Sequence, residues 1–169
     1  MTSIYLAGPD VFRPDAGAYG ESLKAACRAH GFEGLYPLDN AVPHGLPKPE
    51  AAAWICQANL GLIQRADIVM ANLNPFRGAE PDSGTVFEVG YATALGKPVW
   101  GYADDIRAIA QRVVHTMDPD GRLVDPQGLQ VEDFGLPLNL MLACSIQVVR
   151  GGPDDCLAEI SRVSRFSNQ

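Results

Sequence analysis

A chain of 169 residues suits one domain with one sizeable core, and 47 % hydrophobic with 20 % charged residues is ordinary for a globular protein. A net charge of −7 argues against a nucleic-acid polymer or an anionic membrane surface as partner, because both are engaged by basic surfaces. No run approaches the roughly 20 apolar residues that span a bilayer, and the first residues lack the basic start and long apolar stretch of a signal peptide, so the chain reads as cytoplasmic.

Residues 4–7 read as a short apolar strand ending at Gly8-Pro9. Asp15 is placed to cap a helix over about 16–29, stopped by Gly31. Residues 32–36 form a second strand, and prolines at 37, 43, 47 and 49 make 37–49 a loop. A helix over about 50–65 follows, with Ile55, Leu60 and Ile63 at helical spacing. Residues 67–73 are apolar without alternation, as expected of a parallel strand covered on both faces. The loop 74–82 leads into a helix over about 83–95, closed by Gly96, and 98–102 is a fourth strand. Residues 104–114 read as another helix, and 117–135 as irregular, with Asp-Pro and Asp-Gly turn signals. A short apolar helix at 138–143, a fifth strand at 146–149 and a closing helix at 153–166 complete the chain. This alternation predicts an α/β fold, a five-stranded parallel sheet with helices on both faces, as one domain over residues 1–169. Ligands of such sheets sit beyond the C-terminal ends of the strands. Cys27, Cys56, Cys144 and Cys156 lack paired metal spacing and lie in helical or apolar surroundings, which predicts buried reduced thiols. His30, His44 and His115 are far apart, and no metal site is expected.

Two segments lie just past strand ends: Gly8-Pro9-Asp10-Val11-Phe12, and the stretch 74–92. The second carries Glu88, whose neighbours one helical turn away, Gly84 and Ala92, are both small. Space in front of a carboxylate is space for a ligand. A mid-helix glutamate is ordinarily a solvated surface residue. Between Thr85 and Gly96, however, there is no other charge, and a lone glutamate in an apolar helix is costly unless paired or functional. Asp82 either caps this helix or faces the same cavity from above. Two carboxylates on one small pocket are the usual equipment for cleaving a glycosidic bond, one at the anomeric carbon and one handling the leaving-group proton. Tyr5 is either core or a phenol that orients a neighbouring carboxylate. Phe12 and Phe76 either sandwich a flat base or plug their loops.

Tyr5-Leu6-Ala7-Gly8-Pro9, Ala66-Asp67-Ile68-Val69-Met70-Ala71-Asn72-Leu73, Pro75-Phe76-Arg77-Gly78, the run 82–90 with Gly96-Lys97-Pro98, and the late segment 134–142 together resemble the nucleoside 2-deoxyribosyltransferases. The Asn59 and Phe-Gly-Leu-Pro details resemble the branch that includes the trypanosomatid enzymes. The resemblance implies a flavodoxin-like fold. It implies that Glu88 is the nucleophile forming a 2-deoxyribosyl ester, that Tyr5 holds it in position, and that Asp82 takes part in proton handling. It implies that Asn139 reaches the sugar 5′-hydroxyl in a neighbouring subunit, so that active sites are shared across a dimer. Gly8, Phe12, Asn59, Phe76 and Gly84 are the other residues expected at the substrate. Some members carry aspartate at the position of Asn59 and glutamine at that of Ala41; both departures bear on base preference and on transfer against hydrolysis. Ser167-Asn168-Gln169 give no match to a terminal-carboxylate contact found in part of the family.

The expected reaction is a double displacement with retention that exchanges the base of a deoxynucleoside for a free nucleobase, with no cofactor or metal. The rivals are a deoxynucleoside or deoxynucleoside 5′-monophosphate N-glycoside hydrolase and a non-catalytic nucleotide-sensing module. The apolar run Leu140-Met141-Leu142-Ala143 predicts an exposed interface and a homodimer or larger symmetric assembly.

Overall fold

The computed structural model describes residues 1–166; residues 167–169, and with them the reading of a C-terminal contact, lie outside the described residues. In chain order the elements are β1 (Ser3–Ala7), α1 (Ala16–Ala29), β2 (Glu33–Leu35), α2 (Lys48–Arg65), β3 (Ile68–Asn72), α3 (Ser83–Ala94), β4 (Val99–Ala103), β5 (Thr116–Met117), β6 (Leu123–Val124), α4 (Leu140–Ala143), β7 (Gln147–Arg150) and α5 (Pro153–Phe166). Five strands form one parallel sheet in the order β2-β1-β3-β4-β7, the flavodoxin-like order expected. β5 and β6 form a separate antiparallel pair.

Strand alternation sorts the core into two layers. Ile4, Leu6, Ile68 and Met70 face α1 and α5, whereas Tyr5, Ala7, Val69 and Ala71 face α2, α3 and α4. All five residues of β1 and of β3 are buried, which explains their unbroken apolar sequence. The same alternation matters for function. It turns Tyr5 away from the α1 side and toward α3.

The structure corrects four expectations. Residues 104–114 are not a helix; only a 3-10 turn at Ile109–Gln111 forms. The Asp105 carboxylate accepts the backbone N–H of Arg107, and Ile109 donates its N–H to the Leu136 carbonyl, so donors that a helix would use are engaged elsewhere. Within the stretch read as irregular, the Asp118 carboxylate accepts the N–H groups of Asp120 and Arg122 and turns β5 back onto β6. Asp15 stands at the N-cap of α1 without a capping hydrogen bond, because its carboxylate is paired with Arg13. Of the four thiols, Cys27 and Cys156 are buried, but Cys56 and Cys144 are exposed.

The helix carrying Glu88 is also less covered than its composition suggests: Phe87, Gly90, Ala94 and Leu95 face outward. Gly96 closes it at φ 69, a left-handed conformation that favours glycine.

Candidate active site

A cavity of about 350 Å³ opens between α2, α3 and the loops that follow β1 and β2. It lies past the C-terminal end of β1, where the topology places ligands. β1 ends at Ala7, and after Gly8 the 3-10 turn Pro9–Phe12 brings Val11 and Phe12 into the wall. Gly8 is required by proximity: a Cβ there would stand 2.9 Å from the Asn72 Cβ and from an Asp10 carboxylate oxygen. From α2 come Trp54, Ile55, Ala58 and Asn59, two pairs four residues apart and therefore on one face. Leu38, Asn40 and Val42 close the cavity from the loop after β2.

α3 supplies its acidic end. Asp82 is the N-cap, and its Oδ2 accepts the backbone N–H of Thr85 at 2.9 Å and the Thr85 hydroxyl at 3.0 Å. Capping and facing the cavity are thus compatible, since Asp82 also lines the wall together with Gly84 and Glu88. Glu88 follows one and a half turns later. The fully buried Tyr5 donates its hydroxyl to Glu88 Oε1 at 2.6 Å. Asn59 donates from Nδ2 to the same oxygen at 3.4 Å. Among the described residues, no hydrogen bond reaches Oε2.

Burial pushes the Glu88 carboxyl up to about 7, and the charge of Asp82 adds to the rise, against the lowering effect of the bonds from Tyr5 and Asn59. Burial and the neighbouring Glu88 hold the Tyr5 phenol well above its ordinary value, so it remains a donor. Among the described residues, no Lys, Arg or His lines this cavity. The site is an apolar chamber with two carboxylates at one end, each held through one of its oxygens.

Tyr5, Gly8, Phe12, Asn59, Asp82, Gly84 and Glu88 are brought together as expected from the sequence. Phe76, expected here, is not, and Asn139, expected at a neighbouring subunit's site, is not part of its own chain's cavity. Phe76 is outside the cavity wall and stacks on Phe12, with ring centroids 5.4 Å apart and the Arg77 guanidinium 4.6 Å above the Phe76 ring. Arg77 adopts a left-handed conformation (φ 55), and its guanidinium lies over both rings. Asn139 lies on the far side of α3, in a groove of about 590 Å³ between α3 and α4. There its Oδ1 accepts the Met141 N–H, and its Nδ2 donates to Glu132 at 2.7 Å.

Sequence reasoning missed Trp54, Val11, Leu38, Asn40 and Val42. A signal for Trp54 was present: no charged residue occurs between Glu50 and Arg65, more apolar surface than a core-facing stripe of α2 needs.

The family model for nucleoside 2-deoxyribosyltransferase matches residues 4–141. A structure described as a 2-desoxiribosyltransferase from Leishmania mexicana is 36 % identical, with a TM-score of 0.77 over 96 % of this chain and 98 % of that one. A 2-deoxyribosyltransferase from Bacillus psychrosaccharolyticus shares the fold at 20 % identity, with a TM-score of 0.60 over 95 % of this chain and 90 % of that one. An uncharacterised protein of Schizosaccharomyces pombe is 32 % identical over 165 residues, which is 88 % of this chain and 78 % of that protein.

Proposed function

This chain belongs to the nucleoside 2-deoxyribosyltransferase family, and from that premise we propose that it exchanges the base of 2′-deoxynucleosides through an ester between deoxyribose and Glu88. The observation that carries the reading is Glu88 itself: a carboxylate at the wall of a mostly apolar cavity, fixed through Oε1 by Tyr5, with Oε2 unengaged.

In the first step Oε2 bonds to C1′ of the sugar as the C1′–N bond breaks, and the electron pair leaves with the base nitrogen. Asp82, on the same wall, provides or relays the proton that neutralises the departing base. In the second step a nitrogen of the incoming base bonds to C1′ from the side the first base left. The ester C–O electrons return to Glu88, and the incoming base gives up its proton to Asp82, which restores the proton lost in the first step. Two inversions give net retention. Tyr5 assists by holding the carboxylate against rotation.

The apolar walls of Phe12 and Trp54 suit a flat base, whereas a 5′-phosphate would find no cation on the cavity wall. That favours a nucleoside over a nucleotide as substrate. The outward apolar side chains Phe87, Leu95 and Met141, together with the groove beside Asn139, support a symmetric homodimer in which Asn139 completes the partner's sugar site.

The test is to incubate the protein with a deoxynucleoside and a second free base and to follow both products by chromatography. A new deoxynucleoside supports transfer; free 2-deoxyribose without exchange supports the hydrolase; no turnover supports a sensing module.

A further inference from the structure

We propose that Asn59 is a positioning residue: with Tyr5 it fixes Oε1 of Glu88 and so makes Oε2 the atom that bonds to the sugar. This rests on the reading of Glu88 as the nucleophile.

Both donors that reach Glu88 converge on one oxygen. Tyr5 arrives from β1 at 2.6 Å, and Asn59 from α2 at 3.4 Å. A carboxylate anchored through one oxygen keeps a single orientation and presents the other. The orientation of the Asn59 amide is equally informative. Its Nδ2 is turned to Glu88, and its Oδ1 is buried without a hydrogen-bond partner. Asn59 thus lines the cavity while its one hydrogen bond in the structure goes to the carboxylate. Turning the amide over would set Oδ1 against the carboxylate oxygen, acceptor against acceptor, so Glu88 itself fixes the orientation. Buried polar atoms without partners are rare, and we attribute this one to the use of the opposite end of the same side chain on Glu88.

The side chain at position 59 also sets which charges surround Glu88. Facing it are the Tyr5 phenol from β1, the Asn59 amide from α2 and the Asp82 carboxylate from the start of its own helix, with no Lys, Arg or His on the cavity wall. Asparagine is neutral and donates, which favours the charged form needed for attack. Aspartate would neither donate when ionised nor be neutral, and would add a further negative charge to a site that already holds Asp82.

The test is the pH profile of kcat/KM for base exchange between pH 5 and 9 in wild type, Asn59→Asp and Asn59→Leu, with circular dichroism and Tm as checks of folding. Asn59→Ser serves as the neutral variant if leucine does not fold. The acid limb of Asn59→Asp should move upward by about one pH unit or more, and that of the neutral variant by less in the same direction. kcat should fall in each, with little change in KM for either base. Acid limbs that stay at the wild-type position, with changes confined to KM or base preference, would overturn the proposal and make Asn59 a base-reading residue. Glu88→Gln is run alongside. Exchange retained there removes the nucleophile and this inference with it, whereas exchange lost there with unmoved acid limbs in the Asn59 variants overturns the Asn59 role alone.

Discussion

At the scale of single residues, the molecule tolerates a carboxylate where it is unwelcome. Glu88 is held up to about 7 from its ordinary 4.5, chiefly by burial. Its folded-state value lies above its unfolded one. It therefore favours the fold fully below pH 4.5, and that contribution is lost as the pH rises through 7. Glu88→Gln does not titrate, so its Tm should exceed that of wild type at pH 8, and the gap should close toward pH 4.5. The difference amounts to at most roughly 3 kcal/mol, or several degrees, at the alkaline end. Thermal melts at a series of pH values check this, and a gap that does not change with pH contradicts it. Tyr5→Phe keeps the ring in the core and deletes the donor at 2.6 Å. We expect a ten- to hundredfold loss of kcat/KM, about 1.4–2.8 kcal/mol of transition-state stabilisation, with an unchanged fold. A rate equal to wild type would make Tyr5 a packing residue. Glu88 was legible in the sequence because it is the one charge between Thr85 and Gly96. The partners that hold it come from β1 and α2, 83 and 29 residues away, and nothing local to the helix announces them.

At the scale of elements, α3 is built so that its cap and its chemistry share one side chain. Asp82 holds Thr85 through Oδ2 while lining the cavity. Asp82→Asn keeps an acceptor for the cap but removes the charge, whereas Asp82→Ala removes both. The alanine variant should lose about 1 kcal/mol of stability and the asparagine variant much less. Both should lose base exchange to a similar degree. Full activity in Asp82→Asn, measured beside its Tm, would reduce Asp82 to a cap. The central strands β1 and β3 were readable from their apolar runs, as expected of parallel strands covered on both faces. The stretch 104–114 was not. Its composition permits a helix, but Asp105 and the distant Leu136 carbonyl engage its donors, and that competition is invisible to local pattern. Phe76 was misplaced for a related reason: a loop aromatic shows that something flat is needed, not whether the partner is a base or Phe12.

At the scale of the whole molecule, the apolar outer side of α3 is the feature a lone chain does not explain. Phe87 is 59 % exposed and Met141 69 %, and Asn139 lines the groove between their helices rather than its own chain's cavity. The shared-site dimer we propose would account for all three. Glu88→Gln and Asn139→Ala proteins, each inactive alone, should regain activity when mixed after mild dissociation, because one of the two sites in a mixed dimer is then intact. Mixed dimers that form without activity would show that each site is built from a single chain. The central claim, however, concerns one bond, and the intact protein can be weighed for it. Wild type mixed with a deoxynucleoside in the absence of an acceptor base, then quenched in acid, should gain the mass of one deoxyribosyl unit. Proteolysis should place that unit on the peptide containing Glu88, and Glu88→Gln should gain nothing. An adduct on another residue, an adduct in Glu88→Gln, or efficient exchange with no adduct at any quench time would contradict the account.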